Sequence, residues 1–287
     1  MLTIDDRGFC YDMDLRSGST FSSENADAMF LRVLGDIPNR TSVQHYFRAD
    51  SAFAREDFIR AAQSRSLKGT ITAHGNCKWE NHLDEVCNWQ PWNYTDEEKT
   101  QAEKKGKSLP DIVVGYWMYE PTWAPGVQYP IVIKRSLKNE SGQTSLFAED
   151  QYKYWGVLSL RGLYPQTPQE ILEFHQGRGN MENFIRGGRI NYDLKHFPCQ
   201  SLRANHAYGL LALIAHNFLR AMAIVMRPDK PHFAKKLRKR MIHIPGRLVS
   251  GSGYLRMKIP TKFFKEVMGT LKRWSETFKP IPHLSTA

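Results

Sequence analysis

The sequence predicts an α/β protein, and three observations carry that expectation. Within the first 75 residues, runs with strand-type alternation interleave with helical periodicity in the order β-β-α-β-α-β. Three further β-type runs lie within residues 111–160, and long helical patterns follow from residue 167. With 287 residues, 41% of them hydrophobic and 24% charged, the chain can bury a core, which excludes wholesale disorder and a small stapled scaffold.

Asp5-Asp6-Arg7-Gly8 is turn chemistry, and Phe9 to Leu15 alternates apolar with polar, so a hairpin is expected first. Residues 25–34 place Ala26, Met29, Phe30, Val33 and Leu34 at helical spacing, and residues 43–47 read as a short strand. That strand runs into Arg48-Ala49-Asp50-Ser51-Ala52-Phe53, residues 56–63 have helical character, and residues 69–73 return to strand. A carboxylate at the carboxyl end of a strand sits where a sheet opens to a cleft. Asp50 is therefore a candidate site residue, with capping of the next helix as the open alternative.

From residue 76 the texture turns Trp- and Pro-rich with a charged run at 96–107, and strands are expected at 111–117, 128–135 and 152–160. Its tryptophans are expected as packing anchors, with stacking on unpaired bases as the alternative. Residues 167–189 then read as one helix, with Thr167 as cap, Pro168 in first position and Glu170 in the first turn. The apolar stretch 204–226 contains Asn205, His206, His216, Asn217 and Arg220, so a buried core helix is expected rather than a membrane span. Met1 leads into Asp5, Asp6 and Arg7, so no cleavable signal is expected.

The four cysteines form no C-x-x-C pair, which points to a reducing cytosol. His74, Cys77, His82 and Cys87 match no standard zinc spacing. The net charge of +11 implies a polyanionic partner. It is unevenly placed: residues 178–279 hold 21 Lys and Arg against 5 Asp and Glu, which leaves the rest of the chain at −5. Lys235, Lys236, Arg238, Lys239 and Arg240, followed by Arg247, have no acid nearby and are expected to contact phosphate.

The most specific pattern is His175-x2-Arg178-x3-Glu182-x6-Arg189. On one helix these side chains share a face, a carboxylate between cations, and a surface ion pair of Arg178 with Glu182 is the bland alternative. The spacing resembles the Y-x2-R-x3-E-x6-K signature of insertion-sequence DDE transposases, with His175 in the Tyr position and Arg189 in the Lys position. The segments 48–53, 177–185 and 244–249 are similar to motifs of the group-one branch of that superfamily, in the same order.

The resemblance implies an RNase H-like mixed sheet flanked by helices, with a mainly β insertion. The division it suggests is a partial core at 1–75, the insertion at 76–160, a helical remainder at 161–228 and a basic region at 229–287. It also implies DNA cleavage and strand transfer with two Mg²⁺ ions, Mn²⁺ being an alternative, held by Asp50 and Glu182. His175, Arg178 and Arg189 would contact DNA. The implied partners are insertion-sequence ends and target DNA, with a possible homodimer in a synaptic complex, no membrane, and a cytoplasmic, nucleoid-associated location. The first catalytic aspartate of the family has no counterpart at Asp5, Asp6, Asp12 or Asp14. The expectation is an amino-terminally truncated chain whose alternative role is a catalytically silent DNA-binding remnant.

Overall fold

The computed structural model describes residues 2–21, 23–37, 43–73, 75–137, 152–163, 166–251 and 253–277. The chain opens with strands β1 (Leu2–Ile4) and β2 (Cys10–Met13), which pair antiparallel. Their turn closes as the motif predicts: the Gly8 amide donates to Asp5 O at 2.9 Å, with Gly8 at φ 86°. Helix α1 (Ala26–Asp36) follows, then β3 (Tyr46–Ala49), α2 (Glu56–Ser64) and β4 (Lys68–Thr72). The third strand begins three residues later than its apolar run suggested.

Beyond it come β5 (Cys87–Pro91), α3 (Asp96–Lys104), β6 (Ile112–Tyr119), β7 (Tyr129–Leu137) and β8 (Tyr152–Ser159). The charged run forms a helix because Thr95 and Glu98 close a reciprocal capping box, and none of its residues is buried. Next are α4 (Pro168–Gln176), α5 (Gly179–Asn191), α6 (Leu202–Met226), α7 (Ala234–Met241), β9 (Arg247–Gly251), β10 (Tyr254–Lys258) and α8 (Thr261–Thr277).

Two units emerge, one of residues 20–179 and one joining residues 1–19 to 180–287. The first is a six-stranded mixed sheet in the order β3-β4-β8-β7-β6-β5, parallel only between β3 and β4. Strands β5 to β8 extend the sheet begun by β3 and β4, so one sheet runs across residue 76. The opening hairpin does not join that sheet.

On one face of β3, Phe47 packs with Phe30 of α1 and Phe58 of α2 at centroid distances of 5.5 and 5.7 Å. On the other, Ile171 and Leu172 of α4 are fully buried against Val114, Val132 and Val157. Burying side chains of this size is worth about 1.5–3 kcal/mol each. Trp92 and Trp155 pack on this cluster, and Trp79 is 4% exposed beside Gly156, where an added Cβ would stand 3.0 Å from the indole. These three serve as anchors. All four cysteines are free.

In the second unit, β1–β2 packs on α6, with Cys10, Met13 and Leu213 forming its core. Helix α6 is long and apolar enough to cross a membrane by length and composition. It is not the buried core helix expected: Leu211 and Ile214 are each 65% exposed. Its polar residues instead grip the hairpin. Asn217 bonds both the amide and the carbonyl of Cys10, His216 Nε2 reaches Gly8 O, and His206 Nε2 reaches Met13 O, all at 2.7–2.9 Å.

Candidate functional site

Tyr46, Arg48 and Asp50 alternate onto the α4-facing side of β3, and the parallel register brings Thr70 of β4 beside Arg48. Asp50 follows the last residue of β3. Its Oδ1 accepts the Ser51 amide at 2.8 Å, capping the short 3₁₀ turn Ser51–Phe53. Its Oδ2 stands 3.7 Å from the Arg178 guanidinium, and its side chain is 55% exposed. The capping reading and the exposed-carboxylate reading thus describe the same residue: one oxygen caps, and the other faces a cation.

Residues 167–189 do not form one helix. Thr167 and Glu170 complete a capping box with Pro168 in the first turn, as the sequence indicates, but α4 stops at Gln176. The Gly177 and Arg178 amides donate to Phe174 O and His175 O, three residues back, and α5 restarts at Gly179. Glycines on both sides of Arg178 weaken the helix there by roughly 1 kcal/mol each relative to alanine. His175 therefore lies on α4, Arg178 in the turn, and Glu182 and Arg189 on α5, so no single continuous helix carries the four.

His175 itself is 1% exposed, with Nδ1 2.8 Å from Thr70 Oγ1 and Nε2 2.9 Å from Thr72 Oγ1. Burial, reinforced by the Arg178 and Arg48 guanidiniums and opposed by Asp50, pushes it down to about 4. A neutral imidazole offers one N–H and one lone pair, and two hydroxyls can answer both. So held, the ring pins the end of α4, and with it the start of the Arg178 turn, to β4. The Arg48 and Arg161 guanidiniums lie over the Phe174 ring at 4.5 and 4.2 Å. Sequence reasoning missed Thr70 and Thr72. The alternation of β4 was a signal, because it puts both threonines on one face.

In the other unit, Phe184 meets Gly8 so closely that a Cβ there would stand 2.4 Å from the ring. Glu182 lies two residues before Phe184, about 200° around the helix, and is exposed. With Ile185, Arg186, Arg189, Ile190 and Lys195 it lines an open depression of about 410 Å³. Arg186 and Lys195 were missed; the four-residue step from Glu182 to Arg186 was the available signal.

The basic residues divide. Lys235, Lys236, Lys239 and Arg247 are exposed. Arg238 instead donates to Asn191 O and Oδ1 at 3.1 and 3.2 Å, and Arg240 lies 2.9 Å from Glu266 and 2.8 Å from His232 Nε2. These two thus make internal bonds, whereas Lys235, Lys236 and Lys239 of the same run are exposed. Among the described residues no group of three His, Cys, Asp or Glu side chains is arranged to hold a metal ion, and His74 lies outside them.

A family model described as transposase DDE domain, group 1, matches residues 6–273. No curated protein matches the chain.

Proposed function

The chain belongs to the group 1 transposase DDE domain family, and from that premise we propose that its mixed sheet is an RNase H-like core acting in DNA cleavage and strand transfer, with Asp50 and Glu182 as metal-holding carboxylates. The observation that carries this reading is Asp50 itself, an exposed carboxylate at the end of β3 with an arginine 3.7 Å away. Its hard oxygens suit Mg²⁺ or Mn²⁺, and Glu182 offers the same donor type from an exposed helix face. When bound, such ions supply a lowered water or hydroxyl pKa and neutralise charge on the phosphodiester.

The chain's own groups have separate tasks. Arg178 balances the Asp50 charge, and its planar fork can grip two phosphate oxygens once DNA is present. Arg189 and Arg186, flanking Glu182, draw the backbone toward that carboxylate. His175 holds the α4 end in place without carrying charge. Ser51 takes one Asp50 oxygen through its amide and fixes the carboxylate plane.

A second reading, a DNA-binding chain silent in catalysis, draws on the position of β3. Among the described residues β3 is the edge of its sheet, with no strand beyond it. An added strand bearing an aspartate would pair there, beside Asp50. The chain by itself should then give little Mg²⁺-dependent cutting of the duplex ends of its element, and fusing such a strand ahead of it should raise the rate by at least a hundredfold. Efficient, site-specific cutting by the unfused chain would refute the silent reading; no cutting with or without the strand would count against the catalytic one.

A further inference from the structure

The hairpin β9–β10 sorts its side chains by chemistry. Its register pairs Lys258 with Arg247, Arg256 with Val249 and Tyr254 with Gly251, and directly opposed residues point to one side. That face therefore carries Arg247, Arg256, Lys258 and Tyr254, with the half-buried Val249 opposite Arg256. The other carries Leu248, Leu255 and Met257, at 62%, 70% and 68% exposure. All three cations are exposed, and no Asp or Glu occurs from Pro245 to Pro260. Among the described residues the strands form a two-stranded sheet with no third partner, and a lone ribbon of that kind is marginal in water.

We infer that this ribbon is a duplex-DNA contact element that lays its cationic face into the major groove. The inference rests on the DNA-acting reading above and names a part of the chain that reading does not use. Charge decides the occupant. Three cations on one face, unopposed by acid, match the regular negative charge of a polyanion. Shape decides the groove. Each five-residue strand runs about 17 Å, and the B-DNA major groove, about 12 Å wide, admits a two-stranded ribbon while the minor groove, about 6 Å wide, does not. Arg256 stands at the middle of the ribbon, where its fork can reach guanine O6 and N7, and Arg247 with Lys258 at the base serves the phosphates.

The test uses the full chain binding a duplex that carries its element's end, across a salt series, with the variant Arg247→Gln/Lys258→Gln and the opposite-face variant Leu255→Ser. Removing two cations that each neutralise a phosphate should lower the salt slope by about 1.8, so that the fall in affinity between 50 and 200 mM salt shrinks by about tenfold. Leu255→Ser should bind like the parent, and guanine N7 methylation should interfere with parent binding. An unchanged slope in the double variant, or a loss confined to Leu255→Ser, would overturn the ribbon assignment while leaving the DNA-acting reading standing. If the parent binds no duplex at all, both fall. Each variant should keep the parent's melting transition, since every substituted side chain is exposed.

Discussion

Two hairpins in one unit show what protein cover does to a ribbon. In β1–β2 the backbone is bonded by Asn217, His216 and His206 of α6, and Cys10 and Met13 are each 8% exposed. In β9–β10 every residue of β10 and all but Val249 of β9 is exposed. Neither strand pair has enough apolar contact to stand alone. The first takes its partner from the same chain, and the second, among the described residues, is left to find one elsewhere. The lesson is about polar residues. Those in α6 look like flaws in an apolar helix until the backbone groups they serve are known, whereas the exposed cations of β9–β10 point to DNA.

That contrast can be broken most forcefully at Asn217. Asn217→Ala removes the bonds that α6 makes to both Cys10 backbone groups, at about 1–3 kcal/mol each. The expected loss is roughly 2–5 kcal/mol in urea unfolding; a change below about 0.5 kcal/mol would show that α6 does not anchor the hairpin. Next is Leu213→Ala, which opens a cavity against Cys10 and Met13 and should cost about 2–4 kcal/mol.

Acid sharpens the comparison within the sheet unit. The folded pKa of His175 is depressed, so the unfolded chain binds the extra proton first as pH falls. Its contribution is complete above about pH 6.5 and is lost progressively down to about pH 4, a span worth roughly 3 kcal/mol at 1.36 kcal/mol per unit. Burial depresses His216 in the same direction, so the hairpin anchor should weaken with it. In His175→Gln, unfolding curves between pH 7 and 4 should be correspondingly flatter; an unchanged slope would show that His175 does not set the acid sensitivity. The smallest effect belongs to the ribbon, where Arg256→Gln should change stability by no more than about 0.5 kcal/mol.

Much of this was legible before the fold was known, because the signals were local. Alternation placed β6, β7 and β8 nearly to the residue, and Thr167-Pro168 with Glu170 announced α4. The two glycines around Arg178 were equally visible, and they mark where the single helix expected over residues 167–189 breaks. What depended on tertiary partners could not be read. Nothing near residue 175 indicates that Thr70 and Thr72 wait across the sheet, a hundred residues earlier. Nothing near Arg238 or Arg240 indicates Asn191 or Glu266, so cations committed to internal bonds looked the same as exposed ones. Asp50 stood out as a candidate because strand, turn and carboxylate lie within eight residues.

The central claim is that Asp50 and Glu182 hold metal for DNA cleavage and are not needed for grip. Its most direct test is Mg²⁺-dependent cleavage of an element-end duplex by the strand-fused chain, measured with DNA affinity for the parent, Asp50→Ala and Glu182→Ala. Each alanine variant should lose at least a thousandfold in cleavage rate, about 4 kcal/mol of barrier at 1.36 kcal/mol per tenfold, with affinity within threefold of the parent. Cleavage near the parental rate in either variant would contradict the assignment.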